Sequence, residues 1–289
     1  MTMDGRAQFL FDQFLKRFKA EPTRCQEALF RDVADFVTCD DADILVVNGY
    51  AGTGKTTAIA AVIAALRDVG TRSVLLAPTG RAAKVLSGIS HRPASTIHKH
   101  IYRQKSVGSD GFGSFSLAPN KAKSSLFVVD EVSLIGIDTM DGKSNFGTGN
   151  LLEDLVDFMR AGDDCRMIMI GDAAQLPPVG LEASPALSPS FMERFGGVRF
   201  SELTTVVRQE AESGILRNAT MLREMIAECE GDETFEGLGL DLHGVDDIQR
   251  VSGSELIDAL SDAYSRYGED ETVVLCRSNK RAIRYNLGI

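Results

Sequence analysis

Gly49-Tyr50-Ala51-Gly52-Thr53-Gly54-Lys55-Thr56 is the stretch on which the reading of this chain turns. It follows the apolar run Ile44-Leu45-Val46-Val47 and opens a helical pattern from Thr57 to Val69. The pattern G-x-x-x-x-G-K-[ST] is specific only in this context of strand, glycine-rich turn and helix. Glycines let backbone N–H groups wrap phosphates, and the amino end of the helix adds positive potential. Lys55 is expected to reach the β- and γ-phosphates of a nucleotide, and the Thr56 hydroxyl to take Mg2+. Gly52, Thr53, Gly54 and Thr57 are expected to line the same cradle.

The rhythm continues outward from that loop. Ser73-Val74-Leu75-Leu76, Leu126-Phe127-Val128-Val129 and Met167-Ile168-Met169-Ile170 are further short apolar runs, separated by helical patterns such as Leu151 to Arg160. Strands apolar on both faces, alternating with helices, predict an α/β fold with a parallel sheet covered by helices on both sides. Binding sites in such sheets lie at the carboxyl ends of the strands. Upstream, Phe9, Leu10, Phe14, Leu15 and Phe18 recur at helical spacing, and Gln26 to Phe36 continues in the same style.

Two other strand ends carry polar residues. Asp130-Glu131 closes the run Leu126–Val129: an Asp there can hold Mg2+, and the adjacent Glu can polarise an attacking water. Gly171-Asp172-Ala173-Ala174-Gln175-Leu176-Pro177-Pro178-Val179 closes the run Met167–Ile170 and puts the Gln175 amide at the sheet's edge. On its own that segment reads equally as a turn with a polar residue.

Composition bounds the rest. The chain has 289 residues, 44% of them hydrophobic, and a net charge of −10, which argues against a protein that coats nucleic acid. The charge is uneven, however. Val69 to Ser109 contains no Asp or Glu but carries Arg72, Arg81, Lys84, Arg92, Lys99, Arg103 and Lys105 with His91, His98 and His100. Such a surface can bind phosphates on an acidic chain, because screening confines charge effects to about 8–10 Å. No run approaches the roughly 18 apolar residues of a membrane span. Cys25, Cys39, Cys165, Cys229 and Cys276 are scattered, so neither a zinc site nor a disulfide framework is expected, and a reducing, cytoplasmic location is.

Taken in order, Gly49–Thr57, Ala77-Pro78-Thr79-Gly80-Arg81-Ala82-Ala83-Lys84, Ser95-Thr96-Ile97-His98, Asp130-Glu131-Val132-Ser133, Gly171–Pro178 and Val207-Arg208-Gln209 resemble superfamily 1 DNA helicases, specifically the RecD-like and Dda-like branch that moves 5′ to 3′. The resemblance covers roughly residues 20–285. It implies a RecA-like P-loop NTPase domain that hydrolyses ATP with Mg2+ to translocate on single-stranded DNA. It implies that Gln26 reads adenine, that Lys55 and Thr56 bind triphosphate and metal, and that Asp130 and Glu131 are the metal and catalytic carboxylates. It also implies that Gln175 couples the γ-phosphate to the DNA track and that Arg208 is an arginine finger. Pro78, Thr79, Gly80, Arg81, Thr96 and His98 would contact the single strand, with Lys84 and Lys99 from the acid-free stretch beside them.

The expected organisation is a helical segment over 1–40, a RecA-like ATPase domain over 41–210, a helical connector over 211–270 and the start of a second RecA-like domain over 271–289. Thr272-Val273-Val274-Leu275-Cys276 reads as that second domain's first buried strand. The chain is therefore expected to be the N-terminal portion of a longer helicase, weakly active alone. Residues 103–124 are Gly- and Ser-rich and read as either a β-hairpin or a loose loop; in the helicases this chain resembles, a hairpin here splits the duplex, and Phe112 or Phe115 at its tip would stack on a base. Residues 138–150 look like an inserted loop that the resemblance does not explain. Tyr50 stands where that family commonly has proline. The competing reading is an ATP-binding switch or adaptor that does not translocate; Glu131, Gln175 and Arg208 favour the motor, because a switch need not keep a hydrolytic set.

Overall fold

The computed structural model describes residues 3–107, 113–137, 146–207, 213–228 and 239–288. The chain divides into two compact units, Met1–Arg208 and Gln209–Ile289.

The first unit opens with α1 (Gly5–Arg17) and α2 (Arg24–Thr38), then β1 (Ile44–Gly49), α3 (Lys55–Asp68), β2 (Arg72–Ala77), α4 (Gly80–Ser90), β3 (Ala94–Thr96) and the short α5 (Ile97–Ile101). β4 (Tyr102–Val107), β5 (Gly113–Leu117), β6 (Ser125–Val129), α6 (Leu151–Arg160), β7 (Arg166–Gly171), α7 (Pro189–Met192) and β8 (Val198–Leu203) complete it. Six strands form one sheet in the order β3-β2-β6-β7-β1-β8, and every pairing in it is parallel. This is the α/β architecture of P-loop NTPases, with β7 interposed between the strand that leads into the glycine-rich loop and the strand that ends at Asp130.

Period-two alternation builds a core on each face. Leu45, Val47, Leu75, Leu126, Val128, Ile168 and Ile170 pack with α1, α2 and α3. Ile44, Val46, Leu76, Phe127, Val129, Met167 and Met169 pack on the other side with Ile97, Ile101, Leu152 and Leu155. Both faces are thus dry, which is why these strands read as unbroken apolar runs. The N-terminal helices are part of this core: Phe14, Leu29, Phe30 and Val33 are fully buried in it.

β4 and β5 pair antiparallel, apart from the main sheet. Their tip, with Phe112, lies outside the described residues. Phe115 is not at the tip: it pairs with Gln104, and its ring stacks on Phe146 at 4.5 Å.

The second unit contains α8 (Gly214–Glu228), α9 (Leu256–Tyr267) and α10 (Asn279–Gly288). The Asp247 carboxylate accepts from Gly214 N–H at 2.8 Å at the start of α8, and the Asn218 amide bridges to the backbone of Asp241. Thr272–Cys276, whose composition reads as a strand signature, forms no strand, and Val273 and Leu275 are 53% and 91% exposed. A buried parallel strand needs neighbours on both sides, and no strand occurs among the described residues of this unit. No described helix is long and apolar enough to cross a membrane.

Candidate functional site

The carboxyl ends of β1, β6 and β7 meet at one edge of the sheet. Parallel register sets Asn48 beside Gly171, so the loop after β1 and the Asp172 turn leave the sheet side by side. Gly54, at φ 76°, turns the chain into α3 through the left-handed region, which glycine enters without steric penalty.

The start of α3 differs from its peers. α1, α2, α4, α5 and α6 are each capped by a side chain, from Asp4, Thr23, Thr79, Thr96 and Asn150 respectively. α3 has no side-chain cap. Its amino end, with Lys55, Thr56 and Thr57 in the first turn, is the one among these helices whose orphan donors no protein side chain takes, which suits it to an anion.

Lys55 curls back over the loop. Its Nζ donates to the carbonyls of Gly49 and Tyr50, the latter at 3.0 Å, and lies 3.5 Å from Asp172 Oδ2. The Asp172 carboxylate is almost wholly buried and also accepts from Ala174 N–H at 3.0 Å. Asn48 Oδ1 accepts from Ala173 N–H at 3.0 Å, tying the same turn to β1. Neither Asp172 nor Asn48 was singled out from the sequence, although Asp172 follows an apolar strand as Asp130 does.

Asp130 donates its N–H to Leu76 O at 3.0 Å and accepts from Glu131 N–H at 2.9 Å. Glu131 sits at φ 56°, ψ 39°, a left-handed conformation unusual for a residue with a side chain. Burial pushes the Asp130 carboxyl above its ordinary range, against the pull of the Glu131 N–H and Lys55. Burial and the Asp130 charge push Glu131 up as well, Lys55 opposes the rise, and Asp172 adds to it. Three carboxylates thus share one lysine.

Gln26 reaches this edge from α2. It is 2% exposed; its Nε2 donates to Thr53 O at 2.9 Å and its Oε1 accepts from Thr23 N–H at 3.0 Å. Both ends of the amide are occupied by protein, as one half of a capping box and as a brace under the glycine-rich loop. Gln175 is exposed at the tip of its turn, held through its N–H to Asp172 O at 3.1 Å. Val207 donates to Gly52 O at 2.9 Å, which ties the segment before Arg208 to the loop; Arg208 itself lies outside the described residues.

The acid-free stretch forms a second cluster. Ala77 and Thr96 are register partners, so Pro78–Gly80 and Thr96–Lys99 emerge together at the sheet's edge. Thr79 and Thr96 use their hydroxyls as helix caps, accepting from Ala82 and Lys99 N–H groups at 3.2 and 3.3 Å. Arg81, Lys84 and Lys99 are exposed. His98 is half-buried, with its ring 5.3 Å from Phe146 and 5.7 Å from Tyr102, and burial pushes its pKa below the usual value. It therefore belongs to the aromatic packing at the hairpin root rather than to the exposed rim.

Comparison with known proteins adds a lineage to this geometry. A family model described as an AAA domain matches residues 26–233. The ATP-dependent RecD2 DNA helicase of Deinococcus radiodurans is 32% identical over 194 residues, covering 66% of this chain and 23% of that protein. The ATP-dependent DNA helicase dda of Enterobacteria phage T4 is 33% identical over 181 residues, covering 58% of this chain and 35% of that protein. Among solved structures, the Pif1 helicase from Candida albicans aligns with a TM-score of 0.41 at 17% identity, over 78% of this chain and 44% of that one. The chain thus spans well under half the length of these two sequence relatives. With the family match running from Gln26 through both carboxylate motifs and beyond β8, the chain belongs to the AAA-domain family.

Proposed function

We propose that this chain is the ATP-hydrolysing motor domain of a DNA helicase that moves 5′ to 3′ along single-stranded DNA. The observation that carries the reading is the uncapped start of α3, beside a lysine and three converging carboxylates. The triphosphate takes the orphan N–H groups of the loop and of α3, and Lys55 exchanges the Gly49 and Tyr50 carbonyls for phosphate oxygens. The Thr56 hydroxyl and Asp130 would hold Mg2+, with substrate phosphates supplying further oxygens, which suits an ion that takes few protein carboxylates. When bound, Mg2+ neutralises charge building on the transferred phosphate. Glu131 accepts a proton from the attacking water, a task that its raised pKa fits.

Gln26 positions the loop, and reading adenine would require its amide to leave Thr53. Gln175 senses the γ-phosphate from its turn, and Arg208 supplies a further positive charge. Single-stranded DNA follows Pro78, Thr79, Gly80, Arg81, Lys84, Thr96 and Lys99, with His98 shaping the surface from below. The hairpin β4–β5 separates the strands. The names of the sequence relatives, both ATP-dependent DNA helicases, support this assignment.

The test is ATP turnover with and without a single-stranded oligonucleotide, measured on this chain joined to the second RecA-like domain that the reading requires. Stimulation by single strands and not by blunt duplex is the expected result. Turnover indifferent to DNA would favour the switch reading, and no nucleotide binding would remove the site altogether.

A further inference from the structure

Residues 146–154 enter the site described so far only through the Phe146 ring beside His98, yet they close on the root of the hairpin. Phe146 forms a parallel bridge with Phe115, and their rings stack at 4.5 Å with 15° between planes. Gly147 N–H donates to Phe115 O at 3.0 Å. Tyr102, the first residue of β4, donates its hydroxyl to Asp154 Oδ2 at 2.6 Å, and Thr148 N–H donates to the same oxygen at 3.0 Å. Asp154 is 0% exposed. It sits in the first turn of α6, where the helix's amino end and these donors offset the cost of its buried charge. Gly147, at φ 49°, lies so close that an added Cβ would come within 1.9 Å of Asp154 Oδ2 and 2.7 Å of the Tyr102 ring.

We propose that Phe146–Thr148 and Asp154 form a lock on the hairpin root, a positioning device that makes β4–β5 a stiff arm continuous with α6 and the core. Stiffness matters because an arm that opens a duplex must transmit force without bending, and a two-stranded ribbon alone is marginally stable. The lock gives the arm a third, short strand-like edge and one buried hydrogen-bonded anchor on a helix that packs on the main sheet. Leu152, Leu155 and Val156 of α6 are fully buried there. The arm's mechanical role rests on the helicase reading above; the lock itself does not.

Two variants test it in the intact chain. Tyr102→Phe keeps the ring and removes the donor, and Gly147→Ala forces a methyl group against Asp154. Amide hydrogen exchange over 102–107 and 113–117 is expected to quicken by roughly tenfold in each, while Leu66→Ala, a core change away from the lock, leaves the ratio of hairpin to sheet exchange unchanged. With the same variants placed in the chain joined to its second RecA-like domain, single-strand-stimulated ATP turnover should stay within about twofold of the parent while duplex opening per ATP falls several-fold. Unchanged hairpin exchange in both variants overturns the lock. Faster exchange with undiminished opening per ATP overturns its mechanical role. A two-domain parent whose turnover ignores DNA overturns the helicase reading and the arm's role with it, while exchange still decides the lock.

Discussion

The chain holds its positive charge in two ways. At the phosphate edge Lys55 is mostly buried, bonded to two carbonyls and placed 3.5 Å from a buried carboxylate. Along the acid-free stretch, Arg81, Lys84 and Lys99 are exposed and form no ion pair among the described residues. A ligand at the first region must displace existing partners, so binding there depends on geometry and desolvation. A ligand at the second displaces only water and salt ions, so binding there depends on ionic strength. One region suits a compact triphosphate recognised atom by atom, the other a long polyanion recognised by its charge.

The comparison breaks first at Lys55. Lys55→Ala is expected to lower ATP turnover by at least about 10³-fold, because among the described residues Lys55 is the cation that acts on Asp130, Glu131 and Asp172. Turnover measured on the folded variant within tenfold of the parent, on the order of 1.4 kcal/mol, would place the phosphates elsewhere. Glu131→Gln follows, with hydrolysis reduced by roughly 10²–10³-fold and nucleotide affinity kept or improved, since one like charge leaves the cluster. Filter binding and single-turnover hydrolysis separate the two effects, and parallel losses in both would make Glu131 a binding residue only.

The second region should answer to salt. The triple change of Arg81, Lys84 and Lys99 to Ala should weaken single-strand binding and flatten the plot of log affinity against log salt by about 0.7 per lost phosphate contact. An unchanged slope moves the strand to another face.

The smallest effect sharpens the boundary between the regions. His100 belongs to the acid-free stretch but is half-buried, edge-on to Phe158 at 5.6 Å, and burial depresses its pKa. A depressed pKa means that its stabilising neutrality is intact above the ordinary histidine range and is lost as pH falls through the unfolded and then the folded value. His100→Phe should therefore make the fall in Tm between pH 8 and pH 5.5 smaller than in the parent. Identical falls in the two proteins would count His100 with the surface charges instead.

The sheet was legible because each central strand is buried on both faces and leaves an unbroken apolar run. β8 was not, since as an edge strand it mixes Arg199 and Glu202 with Phe200 and Leu203. The loop, Asp130 and Glu131 were legible because their chemistry is local in sequence. Asp172 was hidden inside a segment that also reads as a turn. The Tyr102–Asp154 bond was beyond reach, because its partners lie 52 residues apart and neither belongs to a recognisable motif. The run Thr272–Cys276 has an apolar strand composition without forming a strand, because composition reports the wish for burial whereas a strand exists only where neighbours accept its hydrogen bonds.

Glu131 adopts a backbone conformation that glycine would hold at lower cost. Under selection for folding alone, as in a library screened for heat resistance, Glu131→Gly should be enriched, by an advantage of about 1 kcal/mol. Under selection for ATP turnover it should vanish. The position would then record which pressure a population has experienced, and a lineage that drifted to glycine there would have kept its fold while surrendering the proposed hydrolysis.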